Sequence, residues 1–139
     1  MTVFTIGYGG RNKDDFLAAL TRHGVRSVVD IRLRPDRASM GIWVKAKTPD
    51  KGIESWLAAA GLGYHSLVEL GNVFLGFDDW PERYGRLMAA AGDLLTERLA
   101  AIPGPICLLC AEKDVAACHR RHVAEYLAAH RGATVHHIA

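Results

Sequence analysis

The stretch 106-ICLLCAEKDVAACHRR-121 decides the fold of this chain. Residues 106–110 form an apolar run that follows a Pro-Gly-Pro break, as expected for a fully buried strand. Beyond residue 114, His119, Val123 and Leu127 recur at the spacing of one helical face. A buried strand that leads into a helix is the repeating unit of a parallel sheet covered on both faces.

The rest of the chain repeats this alternation. Predicted strands lie at 3–7, 26–31, 62–67 and 133–138, and predicted helices at 12–24, 50–61 and 80–100. We therefore predict the α/β class: a single domain over residues 1–139, with about five mostly parallel strands and helices on both faces. A chain of 139 residues suits one hydrophobic core.

Composition places the chain among ordinary globular proteins, with 50% hydrophobic and 23% charged residues. A net charge of +2 is too small to indicate a nucleic-acid partner by itself, although 12 of the 17 basic residues are arginines. Three cysteines cannot form a complete disulfide framework. The first ten residues do not resemble a signal peptide and no apolar run could span a bilayer, so we expect a cytoplasmic protein without a membrane partner.

Polar residues follow three of the predicted strands. Tyr8 follows the first strand, Asp30 and Arg32 lie at the end of the second, and Cys110 ends the strand at 106–110, with Glu112 just after it. Because ligands of parallel sheets bind beyond the carboxyl ends of the strands, we expect these side chains to converge on one edge.

Two arginines near this edge could bind an anion. Arg32 directly follows a buried strand and Arg120 lies at a helix start, so together they could clamp a phosphate or carboxylate. Arg34 shares a face with Arg32 in an extended segment and joins the predicted binding residues. Asp30 would be the base of the site or would orient an arginine.

The predicted chemistry rests on Cys110, Glu112, Cys118 and His119. A thiol near a helix start and a basic neighbour is favoured as a thiolate, and Glu112 and His119 could move protons. The alternative is that the cysteines are packing residues and His119 is a buried histidine bonded to backbone.

We predict no cofactor and no metal. No Walker or dinucleotide glycine fingerprint is present. Structural zinc sites usually show knuckle-like cysteine pairs, but the pair Cys107 and Cys110 lies in a predicted strand, where positions three apart point to opposite faces. If a metal were bound, Cys110, Cys118, His119 and His122 would be its ligands.

The stretches TIGYGG, VVDIRLRP, GLGYHSLVELGN, LLCAEKDVAACHRRHVAEYL and VHHI resemble the bacterial family called domain of unknown function 488. This resemblance implies that the family pattern falls on residues already named and on Pro35, which joins the predicted binding residues. Many relatives have His-Ser where this chain has Tyr8-Gly9. A weaker likeness is to rhodanese-like domains, in which Cys110 would take the position of the loop cysteine.

Three functions remain open from the sequence. The leading hypothesis is an enzyme or ligand-binding domain for an anionic, phosphate-bearing substrate, a nucleotide or nucleic acid, at the carboxyl edge of the sheet. The second is a rhodanese-like thiol sulfurtransferase. The third is a non-catalytic module in which the Cys, His and Arg residues form a buried structural network.

Overall fold

Five strands and four α-helices alternate along the chain, and a computed structural model describes all 139 residues. The strands are β1 (Thr2–Gly7), β2 (Ser27–Asp30), β3 (Gly63–Ser66), β4 (Ile106–Cys110) and β5 (Thr134–His137). The helices are α1 (Lys13–Arg22), α2 (Gly52–Ala59), α3 (Trp80–Leu95) and α4 (Arg120–Arg131). No helix combines the length and hydropathy needed to cross a bilayer.

The strands form one sheet in the order β3-β2-β4-β1-β5, and every neighbouring pair is parallel. β4 lies at the centre, where Leu108 is opposite Thr5 of β1 and Val29 of β2. The predicted α/β fold is therefore confirmed, with a sheet that is wholly rather than mostly parallel.

Each face of the sheet carries its own hydrophobic core. Leu108 and Val123 belong to the core that α3 and α4 cover, whereas Leu109 and Phe16 belong to the core that α1 and α2 cover. Successive residues of a strand point to opposite faces, so a central strand covered on both sides must be apolar throughout. This requirement explains the unbroken apolar run at 106–110.

The connections make the carboxyl end of β4 the natural ligand-binding edge. β4 continues into α4 on one face, whereas its neighbours β1 and β2 continue into α1 and α2 on the other. Helices that depart to opposite faces leave a crevice between the strand ends. Cys110, the last residue of β4, therefore lies between two such crevices, one beside β1 and one beside β2.

Two helices are shorter than the sequence pattern predicts. α4 begins only at Arg120, because Asp114 caps a separate 3₁₀ turn at Val115–Ala117 and Cys118 is extended. α3 ends at Leu95, where Thr96 donates its hydroxyl hydrogen to the Gly92 carbonyl. In both places a short polar side chain forms a hydrogen bond with a nearby backbone group, and this bond competes with the regular hydrogen bonds of the helix.

We expect Leu109→Ala to lower the free energy of unfolding by about 2–5 kcal/mol, through lost burial and a cavity in the central strand. Leu94→Ala is the matched control, since Leu94 is 71% exposed and its loss should change stability by less than about 0.5 kcal/mol. Urea unfolding of both variants measures the difference. Equal midpoints would contradict a central position for β4.

Candidate functional site

A cavity of about 340 Å³ opens at the carboxyl edge of the sheet. Six of the predicted site residues line it: Tyr8, Arg32, Arg34, Cys110, Glu112 and His119. The other four, Asp30, Pro35, Cys118 and Arg120, are buried and do not line it. The convergence of strand ends predicted from the sequence therefore brings most, but not all, of the set to one surface.

Asp30 and Arg32 form a buried ion pair at the end of β2. Arg32 donates from Nε to Asp30 Oδ1 over 2.9 Å and from Nη2 to Oδ2 over 2.7 Å, and the Tyr64 hydroxyl also donates to Asp30. Burial opposes the charged form of Arg32, but the Asp30 carboxylate outweighs it and raises the pKa of the guanidinium. Asp30 thus orients Arg32, one of its two predicted roles.

Tyr8 completes the wall beside Arg32. Its ring stacks on Trp43 with centroids 4.6 Å apart, and the Arg32 guanidinium carbon lies 5.3 Å from the Tyr8 centroid. Arg32 also donates from Nη1 to the Tyr8 hydroxyl over 3.5 Å. Packing on one side and the ion pair on the other therefore fix the direction of Arg32.

Arg120 is a buried anchor, not a cavity residue. It donates from Nε to Thr5 Oγ1 over 3.2 Å and from Nη1 to the Glu112 carbonyl over 2.6 Å. Its Nη2 donates to the Lys113 carbonyl over 3.2 Å, and burial lowers its pKa. The predicted clamp of Arg32 and Arg120 is therefore not formed, because the first turn of α4 packs onto the sheet and directs Arg120 inward.

Gly7 is required for this packing. A Cβ at this last residue of β1 would overlap the Glu112 carbonyl and would lie 3.0 Å from Arg120 Nη1. The absence of a side chain at Gly7 therefore lets the loop after β4 approach β1.

Cys110 and Cys118 meet sulfur to sulfur as a disulfide pair, with Cα atoms 7.4 Å apart. Each sulfur also accepts a hydrogen bond from Arg120, Cys110 from Nη1 over 3.0 Å and Cys118 from the backbone N–H over 3.4 Å. The sequence did not predict this pair, because a separation of eight residues carries no pairing signal. Cys107 is remote from both and packs in the opposite core, where burial raises its pKa.

His119 is held in one tautomer. Its Nε2–H donates to the Ile31 carbonyl over 2.8 Å, which leaves Nδ1 as the acceptor facing Cys118 Sγ at 3.8 Å. Burial lowers the pKa of His119 and favours the neutral imidazole. His122, the other histidine considered as a ligand, instead contacts the rings of Trp80 and Tyr84.

Glu112 presents a carboxylate without a hydrogen-bond partner. The side chain is half-buried and lines the cavity, and no side-chain hydrogen bond or ion pair holds it. One of its oxygens lies within 4.8 Å of the sulfurs of both Cys110 and Cys118. A carboxylate in this position is available to a ligand.

Several residues that line the cavity were not predicted from the sequence. Arg37 lines the cavity and makes no ion pair, whereas its neighbour Arg34 pairs with exposed Asp36. Arg37 belongs to the same arginine-rich segment as Arg32 and could have been found from that clustering. Leu33, Val73 and Leu75 form an apolar wall that only the fold brings together.

The Asp30–Arg32 pair yields a stability prediction. Asp30→Asn should lower the free energy of unfolding by about 3–5 kcal/mol, because it leaves a buried guanidinium without its counter-ion. Asp36→Asn removes the partner of Arg34 in an exposed pair and should cost less than about 1 kcal/mol. Thermal and urea unfolding of both variants provide the comparison, and similar losses would show that the buried pair is not an anchor.

His119 yields a pH prediction. Burial lowers the pKa of His119 in the folded state, whereas in the unfolded chain the imidazole takes up a proton near the ordinary pKa of about 6.5. The unfolded state therefore binds more protons in acid, and stability should fall from pH 7 towards pH 5. His119 contributes up to about 1.4 kcal/mol per pH unit to this loss.

In His119→Gln the fall in stability should be shallower, whereas His130→Gln, at an exposed position of α4, should keep the wild-type slope. Urea titrations at several pH values in chelator-treated buffer measure the slopes. A His119→Gln slope equal to that of the wild type would argue against a histidine held neutral at this site.

Comparison with known proteins gives one match. The family model for the domain of unknown function DUF488 matches residues 12–127, which include both the Asp30–Arg32 pair and the segment from Cys110 to Arg120. No curated protein and no solved structure matches the chain. Because the match covers most of its length, the chain belongs to the family described as domain of unknown function DUF488.

Proposed function

We propose that this protein binds a phosphate-bearing ligand, a nucleotide or the phosphorylated end of a nucleic acid, in the cavity at the carboxyl edge of the sheet. The observation that carries the proposal is the charge of the lining. Arg32, Arg34 and Arg37 all line the cavity, and Glu112 is the one acidic side chain among the lining residues.

The three arginines offer different contacts. Arg37 makes no ion pair and is available to an anion directly. Arg34 is paired with Asp36 on the surface, and such exposed pairs are weak enough for a phosphate to replace the carboxylate. Arg32 is fixed by Asp30 and adds an oriented donor at the inner end of the cavity.

An apolar wall supports a ligand that has a ring as well as a phosphate. Leu33, Val73 and Leu75 line the cavity while remaining 40%, 57% and 60% exposed. A volume of about 340 Å³ lies within the range of about 300–1,000 Å³ of small-molecule sites. A nucleobase could pack on the leucines and valine while its phosphate contacts the arginines.

If the protein is an enzyme, Glu112 and His119 line the same cavity and would move protons. The rhodanese-like alternative has less support, because Cys110 is only 1% exposed and its sulfur contacts Cys118. The alternative of a buried structural network accounts for Asp30 and Arg120 but not for the arginines at the mouth of the cavity.

The cytoplasmic location expected from the sequence agrees with this function. Nucleotides are abundant in the cytoplasm, where thiols are held reduced. In that compartment we infer that Cys110 and Cys118 exist largely as free thiols.

Titration of the full chain with fluorescent mononucleotides and a 5′-phosphorylated oligonucleotide tests the proposal. Arg37→Ala should weaken binding about tenfold, the effect of losing one charge-assisted hydrogen bond of about 1.5 kcal/mol. Binding should also weaken as salt rises, because phosphate contacts are screened.

Arg86→Ala is the matched control, since it removes the same charge from an exposed position of α3 that does not line the cavity. It should bind as the wild type does. Absence of saturable binding by the wild type, or equal weakening by both substitutions, would overturn the proposal.

A further inference from the structure

We propose that Cys110, Glu112, Cys118 and His119 form a binding site for a thiophilic divalent cation such as Zn²⁺ when the two cysteines are reduced. This site goes beyond the anion binding proposed above and does not depend on it. It also departs from the absence of a metal predicted from the sequence, because the fold assembles donors that the spacing alone does not reveal.

The first support is the distance between the donors. The sulfurs of Cys110 and Cys118 and one carboxylate oxygen of Glu112 all lie within 4.8 Å of one another. In a tetrahedral site with metal–sulfur bonds of about 2.3 Å and metal–oxygen bonds of about 2.1 Å, donor atoms are roughly 3.6–3.8 Å apart. Once the disulfide is reduced, side-chain rotations would move the two sulfurs apart to this spacing and bring the Glu112 oxygen to it.

The second support is the separation of the two cysteine backbones. Their Cα atoms are 7.4 Å apart, farther than the range of about 4.4–6.8 Å that disulfides usually span. An ion between two thiolates fits a wider spacing than a direct bond does. A cellular thiol reductant would supply two electrons and two protons to convert the disulfide to two thiols, and the ion would then displace the two thiol protons.

The third support is the orientation of His119. Because its Nε2–H donates to the Ile31 carbonyl, the lone pair of Nδ1 faces Cys118 Sγ at 3.8 Å. That separation is close to the roughly 3.6 Å expected for a nitrogen and a sulfur on one zinc ion. A backbone carbonyl that fixes the other ring nitrogen is also the usual arrangement around a metal-bound histidine.

The charges of the site balance when the neighbouring Arg120 is included. Two thiolates and the Glu112 carboxylate carry three negative charges, which a divalent ion and the Arg120 guanidinium together offset. Arg120 is 1% exposed and donates to the Cys110 sulfur over 3.0 Å. Its backbone N–H donates to the Cys118 sulfur, so both thiolates keep a hydrogen bond while they ligate.

The ion would lie beside the cavity. Cys110, Glu112 and His119 line that space, whereas Cys118 lies behind it. Four protein ligands fill a tetrahedral zinc site and leave no position open, as in structural zinc sites. We therefore expect the ion to hold the loop after β4 against the start of α4 and so to stabilise this wall of the cavity.

The test uses the full chain, reduced under nitrogen and freed of metal, with Co²⁺ as a spectroscopic probe and Zn²⁺ as its competitor. The wild type should develop thiolate-to-cobalt charge-transfer absorption and the visible bands of a four-coordinate ion, and Zn²⁺ should abolish both. Cys107→Ser, which removes a buried cysteine of the same strand outside the cluster, should give the same spectrum.

Cys118→Ser should lose the charge-transfer absorption of one sulfur and bind at least about 100-fold more weakly. Glu112→Gln replaces a half-buried side chain without a partner, so it should fold normally and bind at least about tenfold more weakly. Circular dichroism checks the fold of each variant. No cobalt–thiolate absorption in the reduced wild type, or unchanged binding by a folded Glu112→Gln, would overturn the assignment.

Discussion

The buried guanidinium of Arg120 is the interaction on which the site depends. It reaches from the first turn of α4 to Thr5 in β1, to the sulfur of Cys110 and to the carbonyls of Glu112 and Lys113. A buried charge is costly unless its donors are satisfied, so the loop after β4 must present its carbonyls in this one arrangement. The same constraint fixes where Glu112 and Cys118 lie relative to Cys110.

The end of β2 and the segment after it carry one buried and one exposed ion pair. Asp30 and Arg32 are buried and bind each other, whereas Arg34 and Asp36 repeat the same spacing on the surface. The buried pair is rigid because water cannot compete for its hydrogen bonds, and the exposed pair can exchange its partner. A single short segment can thus provide a fixed wall on one side of the cavity and adaptable cations on the other.

The fold was predictable because β4 is apolar on both faces and the segment after it has helical periodicity, a pattern with few other solutions. The edge that carries the site was also predictable, because Cys110 ends β4 and Tyr8 and Arg32 closely follow the ends of β1 and β2. The inward direction of Arg120 was not predictable, because helical spacing does not tell which polar side chain at a helix start will be covered. The contact of Cys110 with Cys118 depends on the 3₁₀ turn that Asp114 caps, and composition carries no sign of that turn.

The strand order has a consequence for synthesis on the ribosome. β1 emerges first, yet both of its partners, β4 and β5, come from the last third of the chain. Until about a hundred residues have followed, β1 has no strand to pair with, and only β2 and β3 can associate. Non-local pairing of this kind slows folding, because a long loop must close before any contact compensates for it. The nascent chain can therefore complete its sheet only after β4 and β5 have been synthesised, and until then the apolar residues of β1 have no strand beside them.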